Sequence, residues 1–112
     1  MSSDELPILI LVRDLMFSTR IVEAAKDAGL TYKIVRKPEA VHAEVGRLLI
    51  VDLNQDGAVD AAGAWRSATG TRTIGFVSHV DAEAIARAKA AGIDQILSRG
   101  QFTQVLPNLV RS

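Results

Sequence analysis

The stretch Leu48-Leu49-Ile50-Val51-Asp52-Leu53-Asn54, residues 48–54, decides the fold. Its first four residues are continuously apolar rather than alternating, which is typical of a strand buried on both faces. The run ends in Asp52, and the polar cluster that continues to Gly57 predicts a tight turn. We therefore expect a central strand whose carboxyl end opens onto polar side chains.

Further strands are predicted on both sides of this stretch. Residues 8–12 and 73–77 are also apolar runs and predict two more buried strands. Residues 31–35 alternate polar and apolar side chains, as expected of an edge strand. Residues 93–97 predict a short fifth strand.

Helical segments separate these strands. Apolar spacings of three and four predict helices over about 15–26 and 82–91, while Pro38 opens a short helical stretch that continues to Val45. The segment 58–69 is rich in alanine and predicts another helix. A last helical pattern lies in the tail after residue 101.

Two of these helices are expected to be imperfect. Gly63 costs roughly 1 kcal/mol against alanine inside a helix, so the helix over 58–69 should be marginal, with Trp65 anchoring it to the core. Pro107 removes a backbone donor from the tail and should split or kink its helix.

Strands and helices alternate five times, which predicts an α/β fold. We expect a flavodoxin-like, doubly wound, five-stranded parallel sheet with helices on both faces. The length of 112 residues suits one compact unit, so residues 1–112 are expected to form a single domain.

Composition narrows the function classes. Thirteen basic and thirteen acidic residues cancel, which argues against nucleic acid or a membrane surface as partner. The absence of cysteine excludes disulfides and thiolate metal sites, and the start of the chain has no basic targeting region. We therefore expect a cytoplasmic protein.

The polar residues that follow the predicted strands are the candidate site, because in such a sheet ligands bind at the carboxyl ends of the strands. The candidates are Arg13 and Asp14 after the first strand, Asp52 and Asn54 after the third, Ser78 and His79 after the fourth, and Ser98, Arg99 and Gly100 after the fifth. His79 is expected to be a loop residue rather than a catalytic base, since neighbouring residues leaving a strand point in different directions.

An acid after strand one, an aspartate ending strand three, a hydroxyl ending strand four and a cation after strand five, in this order, resemble a response-regulator receiver domain of the chemotaxis-receiver type. The resemblance covers essentially the whole chain and implies a signalling module rather than an enzyme. It implies that Asp52 is the phosphoacceptor, that Ser78 turns toward the acyl phosphate, and that Asp14, Asp52 and Asn54 hold magnesium.

Two departures from the receiver pattern make this chain an atypical receiver or pseudo-receiver. Arg13 stands where the family has its first acid, and Arg99 stands where it has a lysine. Two carboxylates then face two guanidinium groups, a sum of about zero, which disfavours magnesium and should impair or abolish phosphorylation of Asp52. We expect Arg13 or Arg99 to form a salt bridge with Asp14 or Asp52 instead.

Simpler structural roles remain open for the same residues. Asp52 can end its strand by accepting loop amides, and Asp14 can cap the first helix as well as form the site. Met16, Phe17 and Trp65 are expected to be core residues or to pack at the start of a helix.

Three functional interpretations follow. The first is a stand-alone atypical receiver that acts by contact with a protein partner, either a sensor kinase or an output protein. The second is a flavodoxin-like protein that binds a small molecule or nucleotide in the same cleft, although no glycine-rich phosphate loop follows any strand. The third is a homodimerising subunit, which would require a large apolar surface.

Overall fold

A computed structural model describes residues 6–77 and 81–111 of the chain. The five strands are β1 (Ile8–Leu11), β2 (Tyr32–Ile34), β3 (Leu48–Asp52), β4 (Thr73–Val77) and β5 (Gln95–Ser98). The α-helices are α1 (Leu15–Asp27), α2 (Ala58–Thr69), α3 (Ala82–Ala90) and α4 (Arg99–Arg111), with a 3-10 helix at Pro38–Ala43.

All strand pairs are parallel, in the order β2-β1-β3-β4-β5. The three apolar strands β1, β3 and β4 are central and buried, while the alternating segment predicted as an edge strand forms β2. The predicted flavodoxin-like, doubly wound α/β fold is therefore confirmed.

Each face of the sheet carries its own apolar core. One core packs the inward side chains of α1 and α4 onto Ile8, Ile10 and Ile50. The other packs α2, α3 and the 3-10 helix onto Leu9 and Leu11. Successive residues of a strand point to opposite faces, so the continuous apolar run of β1 feeds both cores.

Trp65 anchors α2, as the sequence predicts. Its side chain is 2% exposed, and its indole Nε1 donates a hydrogen bond to the Glu44 carbonyl oxygen at 3.0 Å. Gly63 has a packing role that the sequence does not reveal: a Cβ at this position would lie 2.7 Å from the Cβ of Ala91. The glycine thus lets α2 approach the chain after α3 closely.

The expected split at Pro107 does not occur, since α4 continues through it to Arg111. Pro107 lies on the exposed side of the helix, where water can bind the carbonyl that its missing N–H leaves unpaired. Leu106, Leu109 and Val110 are buried on the opposite side and hold the helix against the sheet.

Candidate functional site

The carboxyl ends of the strands bring most of the candidate residues to one edge of the sheet. The register pairs Leu11 with Val51, Asp52 with Phe76, and Val77 with Ser98. Asp14 follows β1, Asp52 ends the adjacent strand β3, and Arg99 follows β5, which lies on the other side of β4. Ser78 and His79 lie outside the described residues.

Asp14 has two structural partners. One carboxylate oxygen, Oδ1, accepts a hydrogen bond from the Phe17 backbone N–H at 3.0 Å and so caps α1. The other, Oδ2, lies 2.9 Å from the guanidinium nitrogen Nη2 of Arg99. The Phe17 amide first, and the Arg99 guanidinium second, hold the pKa of Asp14 below its usual value. The cap role and the site role that the sequence left open therefore coexist.

Arg99 is placed by aromatic packing. Its guanidinium carbon lies 4.5 Å from the ring centroid of Phe17, within the range of a cation–π contact. Phe17 in turn packs on Phe76 and Phe102, with ring centroids 4.6 and 5.5 Å away. This aromatic cluster joins the starts of α1 and α4 to the end of β4, so it fixes the two helix starts that carry Asp14 and Arg99.

Asp52 is the last residue of β3 and is half-buried. Its Oδ1 accepts a hydrogen bond from the Asn54 backbone N–H at 3.0 Å, the pattern of an aspartate that organises its own turn. The backbone N–H of Leu53 bonds to the Phe76 carbonyl at 2.9 Å, which ties the same turn to β4. Asp52 is thus held at the edge with its carboxylate partly open to solvent.

Asn54 also lines a separate polar cavity of about 220 Å³ between the β3–α2 turn and the start of α3. Three carboxylates, those of Asp56, Asp60 and Asp81, line it with Arg87. Gln55 also lines the cavity, and its buried side-chain oxygen has no hydrogen-bond partner within residues 6–77 and 81–111.

Arg99, and not Arg13, forms the salt bridge that was expected of one of the two arginines. Among the described residues the exposed side chain of Arg13 forms no ion pair with Asp14 or Asp52, and it lines a cavity together with Arg36 instead. Arg99 pairs with Asp14, not with Asp52. Met16, expected to be a packed residue, is 74% exposed, whereas Phe17 is buried as expected.

The sequence analysis missed Arg36. It follows the edge strand β2, whereas the residues predicted by the strand-end rule follow the other four strands. The same rule applied to β2 would have found Arg36, since residues 36 and 37 are both basic.

The receiver resemblance implies a magnesium ion, and the residues of this edge do not fit one well. The Arg99 guanidinium lies 2.9 Å from Oδ2 of Asp14, one of the carboxylates that the resemblance assigns to the ion. Within residues 6–77 and 81–111, no three acidic, histidine or cysteine side chains form a group that could hold a metal ion.

None of the helices in the described part of the chain has the length and apolar character needed to cross a membrane.

Comparison with known proteins gives matches in structure but not in sequence. No protein-family model and no curated protein sequence matches the chain. Among solved structures, a CheY-like response regulator receiver domain protein from Methanospirillum hungatei JF-1 superposes with a TM-score of 0.81 at 15% identity, covering 95% of this chain and 90% of that one.

Two further solved structures also superpose on this chain over most of their length. The BeF3-activated DrrB receiver domain has a TM-score of 0.79 at 14% identity, over 95% of this chain and 94% of that one. HP1043, an orphan response regulator of H. pylori, has a TM-score of 0.75 at 12% identity, over 96% and 92%. The chain thus has the fold of CheY-like response-regulator receiver domains, the family that its strand-end residues resemble.

Proposed function

We propose that this chain is an atypical receiver domain that transmits a signal by contact with a partner protein, with phosphorylation of Asp52 impaired or lost. The observation that supports this most is the pairing of Arg99 with Asp14 at 2.9 Å. A receiver uses an acid at the position of Asp14 to attract a divalent cation, and a guanidinium placed on that acid opposes the cation electrostatically.

Asp52 keeps the position of a phosphoacceptor at the end of a central strand. Transfer of a phosphoryl group to it would build negative charge on the phosphoryl oxygens, which a receiver offsets with its metal. With the metal disfavoured, transfer should be slow, and Arg99 engaged with Asp14 is poorly placed to compensate. We propose a signalling protein without catalytic residues rather than an enzyme.

The signalling mechanism that follows is electrostatic. Arg99 joins the β1–α1 loop to the start of α4 through Asp14, a link that metal and phosphate would provide in an ordinary receiver. A cytoplasmic sensor kinase or output protein would then recognise the loops and helices around this edge in the arrangement that this pair favours.

Beryllofluoride with magnesium tests the proposal, because this complex mimics an aspartyl phosphate only in a competent pocket. We expect the backbone NMR spectrum of the wild type to remain unchanged in the titration, as it would for Asp52→Asn. Saturable shifts around Asp52 in the wild type, absent from Asp52→Asn, would show a working phosphorylation site and overturn the proposal.

A rescue variant shows whether Arg13 and Arg99 cause the proposed impairment of phosphorylation at Asp52. Replacing both by the residues of the receiver pattern, Arg13→Asp with Arg99→Lys, should produce saturable shifts that a further Asp52→Asn change removes. Arg20→Gln, which removes an exposed arginine from α1 outside this pair, is the matched control and should leave the spectrum unresponsive.

A further inference from the structure

A second cavity, of about 250 Å³, lies between the carboxyl ends of β1 and β2 and the first turn of α1. Two arginines and four apolar residues form most of its wall: Arg13, Arg36, Val12, Leu15, Ile34 and Val35. Leu15 and Ile34 are 78% and 39% exposed, so the cavity has an apolar mouth. It combines positive charge with apolar surface in one concave site.

The strand register explains why both arginines reach this cavity. Ile10 pairs with Ile34, and the Val35 backbone N–H bonds to the Ile10 carbonyl at 2.9 Å. Arg36 lies two residues past Ile34, and Arg13 lies three residues past Ile10. The two guanidinium groups are therefore carried by neighbouring strand ends of a rigid sheet.

Their charges are not compensated within the described residues. Neither Arg13 nor Arg36 has an ion pair or a side-chain hydrogen bond there. Asp14, next to Arg13 in sequence, is engaged with Arg99, and Glu39, the acid nearest to Arg36 in sequence, does not pair with it there. Lys37 follows Arg36 and adds a further positive charge. Two like charges brought to one cavity repel each other, and a bound anion would relieve that repulsion.

We infer that this cavity binds a small organic phosphate monoester. A phosphate monoester carries close to two negative charges at neutral pH, which matches two arginines better than a carboxylate does. Guanidinium groups bind phosphate oxygens through paired N–H donors. The organic part would lie against Val12, Leu15 and Ile34.

This cavity shares only Arg13 with the strand-end site described above. Asp52 and Arg99 do not line the cavity. The inference therefore does not depend on whether Asp52 is phosphorylated, and a failure of either proposal leaves the other standing.

Binding can be measured by NMR titration of the full chain with phenyl phosphate, using backbone amides and arginine side-chain N–H signals. We expect saturable shifts at Arg13, Arg36, Leu15 and Ile34. Arg13→Gln and Arg36→Gln should each weaken binding about tenfold, the factor that corresponds to a loss of about 1.4 kcal/mol. Arg20→Gln, an exposed arginine of α1 outside the cavity, should bind like the wild type.

Two reference ligands test separately the apolar surface of the cavity and its two arginines. Inorganic phosphate lacks the apolar group and benzoate has only one negative charge, so both should bind at least about tenfold more weakly than phenyl phosphate. No saturable shift with phenyl phosphate, equal binding of either reference ligand, or unchanged binding in either cavity-arginine variant would overturn the inference. Equal weakening in Arg20→Gln would also overturn it, since the effect would then be one of overall charge.

Discussion

Two arginine–aspartate pairs lie at opposite ends of the parallel strands. We call the end where the strands begin the amino edge and the end where they finish the carboxyl edge. At the amino edge, Arg66 of α2 holds Asp94 with two hydrogen bonds of 3.1 and 2.8 Å, and Asp94 also accepts the Thr73 backbone N–H at 2.8 Å. At the carboxyl edge, Arg99 holds Asp14 with one hydrogen bond of 2.9 Å, and Asp14 also accepts the Phe17 N–H. Each carboxylate thus binds one guanidinium and one backbone amide.

The positions of the two pairs differ more than their chemistry does. Asp94 joins α2 to the start of β4 and the start of β5, away from the ends where ligands bind in such sheets. Asp14 lies at the edge that also carries Asp52. An aspartate–arginine contact therefore does not by itself indicate function, and stability measurements are needed to separate a structural pair from a functional one.

The largest effect is expected from breaking the amino-edge pair with Asp94→Ala. Thr73 is fully buried, so its N–H would lose its acceptor without gaining water, and the free energy of unfolding should fall by about 1–3 kcal/mol. Urea denaturation followed by circular dichroism measures this change.

Asp14→Ala is the matched variant for that measurement. Both members of its pair are 44% exposed, so water can replace much of what the carboxylate provides, and the loss of stability should be smaller. An equal or larger loss for Asp14→Ala would make the carboxyl-edge pair a structural one and would weaken the proposed signalling role.

A smaller effect is expected from Gly63→Ala, which tests the packing that supports the amino-edge pair. The added Cβ would lie 2.7 Å from Ala91 Cβ and 3.1 Å from its carbonyl oxygen. Overpacking costs about 1–3 kcal/mol and the better helix propensity returns about 1 kcal/mol, so a net loss of up to about 2 kcal/mol is expected.

Ser67→Ala is the control for Gly63→Ala, because it places alanine on the exposed side of the same helix. Thermal unfolding should show it to be neutral or slightly stabilising. If Gly63→Ala raised the melting temperature as well, the close approach of α2 to Ala91 would not be a constraint.

These cases show what the sequence could predict and what it could not. The buried strands and the edge position of β2 follow from local patterns of apolar residues, and Asp14, Asp52 and Arg99 were found because parallel strands end at one edge. Gly63 appeared only as a weak helix residue, since its contact with Ala91 is set by how two distant segments pack.

Residue pairing was predicted less well than residue placement. The sequence indicated that an arginine would neutralise an acid at the carboxyl edge, but it could not distinguish Arg13 from Arg99. That choice depends on the aromatic cluster beneath Arg99, where Phe17, Phe76 and Phe102 come from three separate elements. In the part of the chain that the structure describes, no aromatic ring contacts the Arg13 guanidinium in this way, and Arg13 lines a cavity with Arg36 instead.

The smallest expected effect is a change in the pKa of the carboxyl group of each pair when its arginine is replaced. This change sharpens the comparison of the two pairs. Both values are lowered, but the first cause differs: the Arg66 side chain for Asp94 and the Phe17 amide for Asp14. Arg66→Gln should therefore raise the pKa of Asp94 most of the way to its usual value, whereas Arg99→Gln should raise that of Asp14 only in part.

The two titrations can be followed by NMR of the carboxyl carbons. A lowered carboxyl pKa adds stability that is present above the unfolded value, near 3.8, and is lost as the pH falls through the folded value. The stability that Arg66→Gln removes at neutral pH should accordingly start to diminish as the pH falls below about 3.8, and wild type and variant should converge only below the lowered folded pKa of Asp94. If Asp14 instead shifted more than Asp94, the guanidinium rather than the helix cap would dominate at the carboxyl edge, and Arg99 would be bound there more tightly than the geometry indicates.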